Sequence, residues 1–344
     1  MDIGPAAALI AAFLWTCSSM IWGMINLPAL TLNVCKNWIG VTLFGIQLAI
    51  VSFGFGLVEI SADWQAWGWL GLSGLIGIVI GDTMYFRSLQ ILGPRRALVL
   101  ACLGPFFAAV LGLMFLQQMM GYLVVLGVGL TMSGVLVVVM DRKAKQEEPG
   151  LMPGKIQAGI AFGVLAAACQ AGGGLFSIKG MASCSPLEAA AIRLFVSAIA
   201  TSLWILSRQK YRQAFKQAIK IEHLRYVVPA TMLGTWLGIW FCQMAYKNND
   251  LAIAQTLLST CPLFAIPVMW ILYRQRINRL AFCGTVVAIF GIWLTVKYQP
   301  PALQDSPNVE NTSVDSTSDQ LSYLNADSNT HVKFTKLTLS SRLG

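Results

Sequence analysis

Apolar residues fall along the chain in blocks of about twenty, separated by short polar links. A helix rising about 1.5 Å per residue needs about that length to cross ~30 Å of hydrocarbon. Ten spans are read this way: 4–27, 34–57, 67–92, 97–117, 121–140, 156–178, 186–207, 225–247, 250–273 and 279–298. Links such as Gly93-Pro94-Arg95-Arg96 are short enough to make neighbouring spans antiparallel hairpins. The pattern predicts an all-α polytopic membrane protein with ten transmembrane helices. After Tyr298 it breaks off: residues 299–344 open with Gln299-Pro300-Pro301 and are rich in Ser, Thr, Asn and Asp. Such a segment buries too little apolar surface to offset its ordering entropy, so a disordered polar tail is expected.

Composition agrees. Of 344 residues, 56% are hydrophobic and 11% charged, against about 25% charged in soluble domains. This excludes a soluble enzyme, a disordered protein and a disulfide scaffold. The net charge of +9 suits basic loops that orient the chain and touch anionic lipid headgroups, not nucleic acid. The partners expected are membrane lipids and a small-molecule substrate. Eight cysteines, mostly inside apolar runs and without a CxxC, read as packing residues. No metal site or cofactor is expected. The N-terminus lacks the basic region of a secretory signal, so the first span is read as a retained helix.

Loop charge sets orientation. Arg95, Arg96, Arg142, Lys143, Lys145, Lys155, Arg208, Lys210, Arg212, Lys216, Lys220, Arg274, Arg276 and Arg279 fall on one side. The positive-inside rule assigns that side to the cytoplasm and both termini to the outside. The compact plan suits a bacterial inner membrane. In 208–222, Arg208, Arg212, Lys216 and Lys220 form one helical stripe, and Tyr211, Ala214, Phe215 and Ala218 another. An interfacial helix with its apolar face on acyl chains is expected there.

The chain also repeats itself. A shift of 157 residues superposes Gly77 on Gly234, Gly81 on Gly238, Ala97 on Ala254, Pro105 on Pro262, Phe107 on Phe264, Ala108 on Ala265, Gly127 on Gly284 and Gly134 on Gly291. Matched Gly and Pro carry weight because each fixes a backbone feature. Two five-helix repeats, 4–140 and 155–298, follow. Five is odd, so the second repeat enters the membrane from the opposite face. Secondary transporters use this inverted plan, with the substrate site near the midplane between halves.

These residues resemble the EamA-type permeases of the drug/metabolite transporter superfamily. The resemblance rests on Gly77 through Phe86, on Ala97 and the span through Pro105, and on Ala252, Ala254, Ser259 to Pro262, Gly284 and Gly291. It implies a cavity lined by the first four helices of each repeat, with the fifth and tenth peripheral. The chain departs where the family often ends its fourth and ninth helices with an acid: Gln117-Gln118 and Arg274-Gln275 stand there.

Charges inside spans are the sharpest candidates, because each costs about 2.5–3.5 kcal/mol at a helix centre. Asp82 lies about ten residues from the end of its span, roughly 15 Å deep. It reads as a proton-coupling or cation-binding carboxylate, or as one locked to a donor to fix packing. Arg87 lies about 140° round the helix from it, so a cavity role competes with snorkelling. Lys36 and Arg193 sit near the starts of spans two and seven and are expected either to attract anionic groups at opposite ends of the pathway or to snorkel to the interface, with Glu188 pairing Arg193. Tyr85, Asn37, Gln47, Gln170, Gln243, Trp236 and Trp240 line either a cavity or a neighbouring helix. Pro105 and Pro262 are expected to kink their helices mid-span, and Gly172 to Gly174 to give close packing or a hinge.

No GxxxxGK[ST] occurs, so ATP does not drive the chain directly. Gly81-Asp82 lacks the first glycine of an aspartyl-protease GxGD, where Val79 stands, and no second intramembrane aspartate exists. The function expected is a non-enzymatic secondary transporter moving a small organic metabolite by alternating access, with Asp82 as a proton-coupling group. The alternatives are a membrane enzyme on lipid-linked substrate, which would need a polar cluster at one interface, and a non-transporting scaffold.

Overall fold

The computed structural model describes residues 3–25, 27–54, 61–140, 155–207, 215, 218, 220–265 and 279–298. Among them there is helix and no strand. The tail at 299–344, the basic residues at 142–145 and most of 208–219 lie outside the described residues. Six helices are long and apolar enough to cross a membrane, and four shorter apolar ones accompany them. Helices α1 (Ile3–Gly23), α2 (Ala29–Ala49) and α3 (Trp64–Leu92) are followed by α4 (Pro94–Ala101), α5 (Gly104–Leu116) and α6 (Tyr122–Met140). The second half is α7 (Ile156–Gly180), α8 (Pro186–Leu206), α9 (Glu222–Asn248), α10 (Leu251–Leu258) and α11 (Arg279–Tyr298).

The predicted kinks are breaks instead. The fourth span stops at Ala101, turns through Cys102 and Leu103, and restarts as α5 with Pro105 in its first turn. Proline is at home there, because a first-turn N–H has no intrahelical partner to lose. The second repeat copies this: α10 stops at Leu258, Ser259 and Thr260 turn, and helix resumes at Cys261 beside Pro262. The two breaks touch, with Cys102 Sγ 3.8 Å from the Ser259 carbonyl oxygen, 157 residues away.

Symmetry is clearest where α6 crosses α11. A Cβ on Gly134 would lie 2.5 Å from the Gly284 oxygen, and one on Gly127 would lie 2.9 Å from the Gly291 oxygen. The repeat shift carries Gly127 to Gly284 and Gly134 to Gly291, so it exchanges the two contacts. That is what a twofold axis between antiparallel helices does, and it is the inverted repeat in atomic form. Lipid gives no hydrophobic drive between helices, so close backbone approach over glycine supplies the packing energy.

Among the described residues three stretches wind wider than an α-helix: Ile50–Gly54 after α2, and Leu75–Asp82 in α3 and Thr231–Leu237 in α9, the last two at matching places in the two repeats. π-type turns concentrate at functional sites. Side chains bind carbonyls of the matched two. Asn33 Nδ2 donates to the Ile78 oxygen at 2.8 Å and Trp15 Nε1 to the Gly234 oxygen at 2.9 Å. The Gly172–Gly174 run forms close packing and no hinge, since α7 is continuous there and a Cβ on Gly173 would meet the Gly77 Cα at 2.9 Å.

Two further expectations are corrected. Phe215 and Ala218 pack against buried side chains of α2, α8 and α9, among them Leu30, Val34, Ile205 and Val227, so this part of the apolar stripe meets protein. Glu188 does not pair with Arg193. It closes a capping box on α8, its Oε2 accepting from Ser185 N at 2.8 Å and its Oε1 from Ser61 N at 2.7 Å. Glu188→Ala should therefore cost about 1–2 kcal/mol and leave ligand binding in place; a thermal melt and a binding assay on the same preparation check it.

Candidate functional site

Lys36 and Arg193 each stand seven residues into their helices, about 10 Å along the axis. For Lys36 the apolar pattern placed the helix start too late. Pro28 provides the N-terminal boundary and α2 opens at Ala29 rather than 34, which takes Lys36 well inside. Both cations are buried, and both line one cavity. They are not at opposite ends of a pathway.

The cavity has a volume of about 170 Å³, far beyond the roughly 10–15 Å³ that a single water needs. Its walls come from α1 (Trp15, Ser18, Ser19, Trp22), α2 (Lys36) and α3 (Ile78, Asp82, Tyr85, Phe86), with Ala101 and Gly104 from the first break. The other half supplies Gly163, Ala166, Ala167 and Gln170 from α7, Arg193 from α8, Gly234, Thr235, Ile239, Cys242 and Tyr246 from α9, and Gln255, Leu258, Ser259, Cys261 and Pro262 around the second break. Neither α6 nor α11 contributes. The wide turns at Leu75–Asp82 and Thr231–Leu237 and both helix breaks therefore face one space, the arrangement by which discontinuous helices build transporter sites.

Among the described residues Asp82 is the only carboxylate on its wall. Its Oδ2 pairs with Lys36 Nζ at 2.8 Å, and its Oδ1 accepts from Gln170 Nε2 at 2.9 Å. The pair thus ties α2 and α3 of one repeat to α7 of the other. Lys36 also donates to Asn37 Oδ1 at 3.0 Å, and Asn37 Nδ2 reaches Thr201 Oγ1 at 3.4 Å. Asn37 thus supports the cavity from behind its wall. Tyr85 OH lies 3.4 Å from Ser19 Oγ. The other well-buried acid besides Glu188, Asp250, sits in the turn before α10, outside the cavity wall; burial there pushes its carboxyl above the usual carboxylate range.

Arg193 is held differently. Its Nη1 donates to Gln243 Oε1 at 2.5 Å and to Ser177 Oγ at 3.3 Å, while Gln243 Nε2 donates to the same hydroxyl at 2.6 Å. Its Nε has no partner. Among the described residues the only ion pair is Lys36 with Asp82.

Of the residues singled out from sequence, Lys36, Asp82, Tyr85, Gln170 and Arg193 are brought together on the wall, with Asn37 and Gln243 directly behind them. Three are not. Trp236 donates to Gln47 Oε1 at 2.7 Å within an apolar cluster that also holds Trp240. Arg87 is exposed on α3, facing away from the cavity. Trp15, Trp22, Tyr246, Gln255 and Ser259 were missed, because aromatic and small polar residues recur throughout such spans. One signal was available. The 157-residue shift carries Lys36 onto Arg193, marking a matched pair of intramembrane cations.

The described residues hold no cluster of potential metal ligands, and none of the eight cysteines is in a disulfide. No curated protein matches the chain. A crystal structure of a protein shares the fold, with a TM-score of 0.65 at 17% identity over 86% of this chain and 98% of that one. The family model for EamA-like transporters matches residues 2–140 and again 157–297. A doubled match over nearly all of the apolar part settles the family: this multi-pass membrane protein belongs to the EamA-like transporter family.

Proposed function

We propose that the chain is a secondary transporter of a bacterial inner membrane that carries a small organic metabolite by alternating access, with this cavity as the binding site. One observation carries the reading: a cavity among the described residues is walled by equivalent elements of two inverted repeats, with an ion pair in its lining. Repeats related by a twofold axis can exchange conformations, so a state open to one face implies a matching state open to the other. The Asp82–Lys36 pair is the coupling element. A proton on Asp82 would cancel the attraction that draws α2 toward α3 and α7, and its release would restore it. A pair that changes charge state inside a low-dielectric bundle biases packing by several kcal/mol, enough to shift a two-state equilibrium.

The test is comparative metabolomics, inside and outside cells producing the wild type or Lys36→Met/Asp82→Asn at equal abundance. A compound redistributed by the wild type and not by the double variant is the expected result. Equal redistribution by both removes the coupling role. No redistribution by either contradicts transport.

A further inference from the structure

We infer that the cargo is a singly charged organic anion, a monocarboxylate with a compact, partly aromatic body, and that Arg193 receives its carboxylate. The inference deepens the transport reading and rests on it for the word cargo. The binding chemistry stands on the cavity alone.

Three ionic side chains line the cavity: Lys36, Asp82 and Arg193. The first two neutralise each other at 2.8 Å. Arg193, 5% exposed, has no ion pair of its own among the described residues and feels Asp82 only at longer range, so the lining carries one positive charge in excess. Its hydrogen bonds go to two neutral groups, Gln243 and Ser177, both through Nη1. Its buried Nε is unsatisfied. A buried cation without a counter-ion costs several kcal/mol. A fold that keeps one in a cavity has left its counter-ion to a ligand.

The repeat symmetry shows which group is missing. The shift that carries Lys36 onto Arg193 carries Asp82 onto Ile239. Ile239 also lines the cavity. One repeat therefore supplies its cation with a carboxylate, and the other puts an apolar side chain at the matching place. A ligand carboxylate fills the charge position that the second repeat leaves vacant. A planar guanidinium suits it, offering two parallel N–H donors to a carboxylate fork. Gln243, fixed by Ser177, holds the guanidinium and is a positioning residue. Single charge follows from balance: a monoanion brings the lining to neutrality, whereas a dianion would leave an excess charge in a low-dielectric space. The aromatic body follows from Trp15, Trp22, Tyr85 and Phe86 on the wall.

The experiment uses the purified full chain in detergent. The probes are acetate, pyruvate and benzoate, the matching neutral amides, and benzylamine, read by thermal shift and by titration calorimetry. At least one carboxylate should protect, with its amide at least tenfold weaker. Arg193→Lys should keep part of the preference, because it keeps the charge and loses the fork. Ile239→Asp should abolish carboxylate binding with Arg193 untouched, by giving Arg193 an internal counter-ion. Ile239→Asn should retain the preference for carboxylate over amide, which excludes loss through polarity or misfolding. The proposal is overturned if no carboxylate protects, if amide or amine protects equally, or if Ile239→Asp leaves the preference intact. Flux into proteoliposomes separates the two readings. Carboxylate binding without flux sinks transport and keeps the anion site, and flux of benzylamine does the reverse.

Discussion

Asp82→Asn should destabilise the protein by about 3–5 kcal/mol, because it strands the Lys36 ammonium in a buried place. Lys36 is almost fully buried, and Asp82 is its only ionic partner among the described residues. Lys36→Met/Asp82→Asn removes both charges and should recover most of that loss, since an apolar replacement of a buried pair is often neutral. The double variant should still bind carboxylate, because Arg193 and its Gln243 contact are untouched. It should not accumulate cargo against a gradient. Thermal unfolding of wild type, both single variants and the double variant forms a cycle; additive losses would mean that the pair is not coupled. A double variant that still accumulates cargo in a proton gradient would show that coupling lies elsewhere.

Gly134→Val should be as damaging, for a reason with no electrostatics in it. A Cβ at 134 would meet Ala288 N and the Gly284 oxygen, both at 2.5 Å. These are backbone atoms and cannot swing aside, so α6 and α11 must separate. Overpacking costs typically 1–3 kcal/mol where side chains can adjust; with backbone on the other side, about 3 kcal/mol or more is expected. Because the repeat shift pairs the two contacts, Gly291→Val should behave alike, while Gly129→Val, facing open space, should be neutral. Melting temperatures of the three variants test this. Equal behaviour at 129 and 134 would contradict the close crossing.

Much of the fold was legible in the sequence because lipid imposes a simple rule: apolar blocks of about twenty residues. The repeat was legible because Gly and Pro mark backbone features, and Gly127, Gly134, Gly284 and Gly291 prove to be the crossing itself. The depth of Lys36 was not legible. Helix α2 starts at Ala29, among residues that also read as a loop after Pro28. Nor could periodicity reveal the wide turns at Leu75–Asp82 and Thr231–Leu237, since they alter hydrogen bonding without altering composition. Glu188 was assigned to Arg193 by proximity along the helix, yet its Ser185 capping box was written three residues apart in the sequence. Asp82 stood out because one carboxylate in apolar sequence is conspicuous. Its partner required the three-dimensional structure.

Alternating access requires that one cavity open in turn to the two faces of the membrane. Cys242 and Cys261 line it but are too buried to react, so Ser19→Cys, at a partly exposed position on the same wall, supplies the reporter. Sealed vesicles of each orientation, exposed to a membrane-impermeant maleimide at about pH 8, are read by peptide mass spectrometry. Modification at position 19 from either face, slowed by a bound carboxylate, is the result predicted. Modification from one face only, whatever the conditions, would contradict alternating access through this cavity.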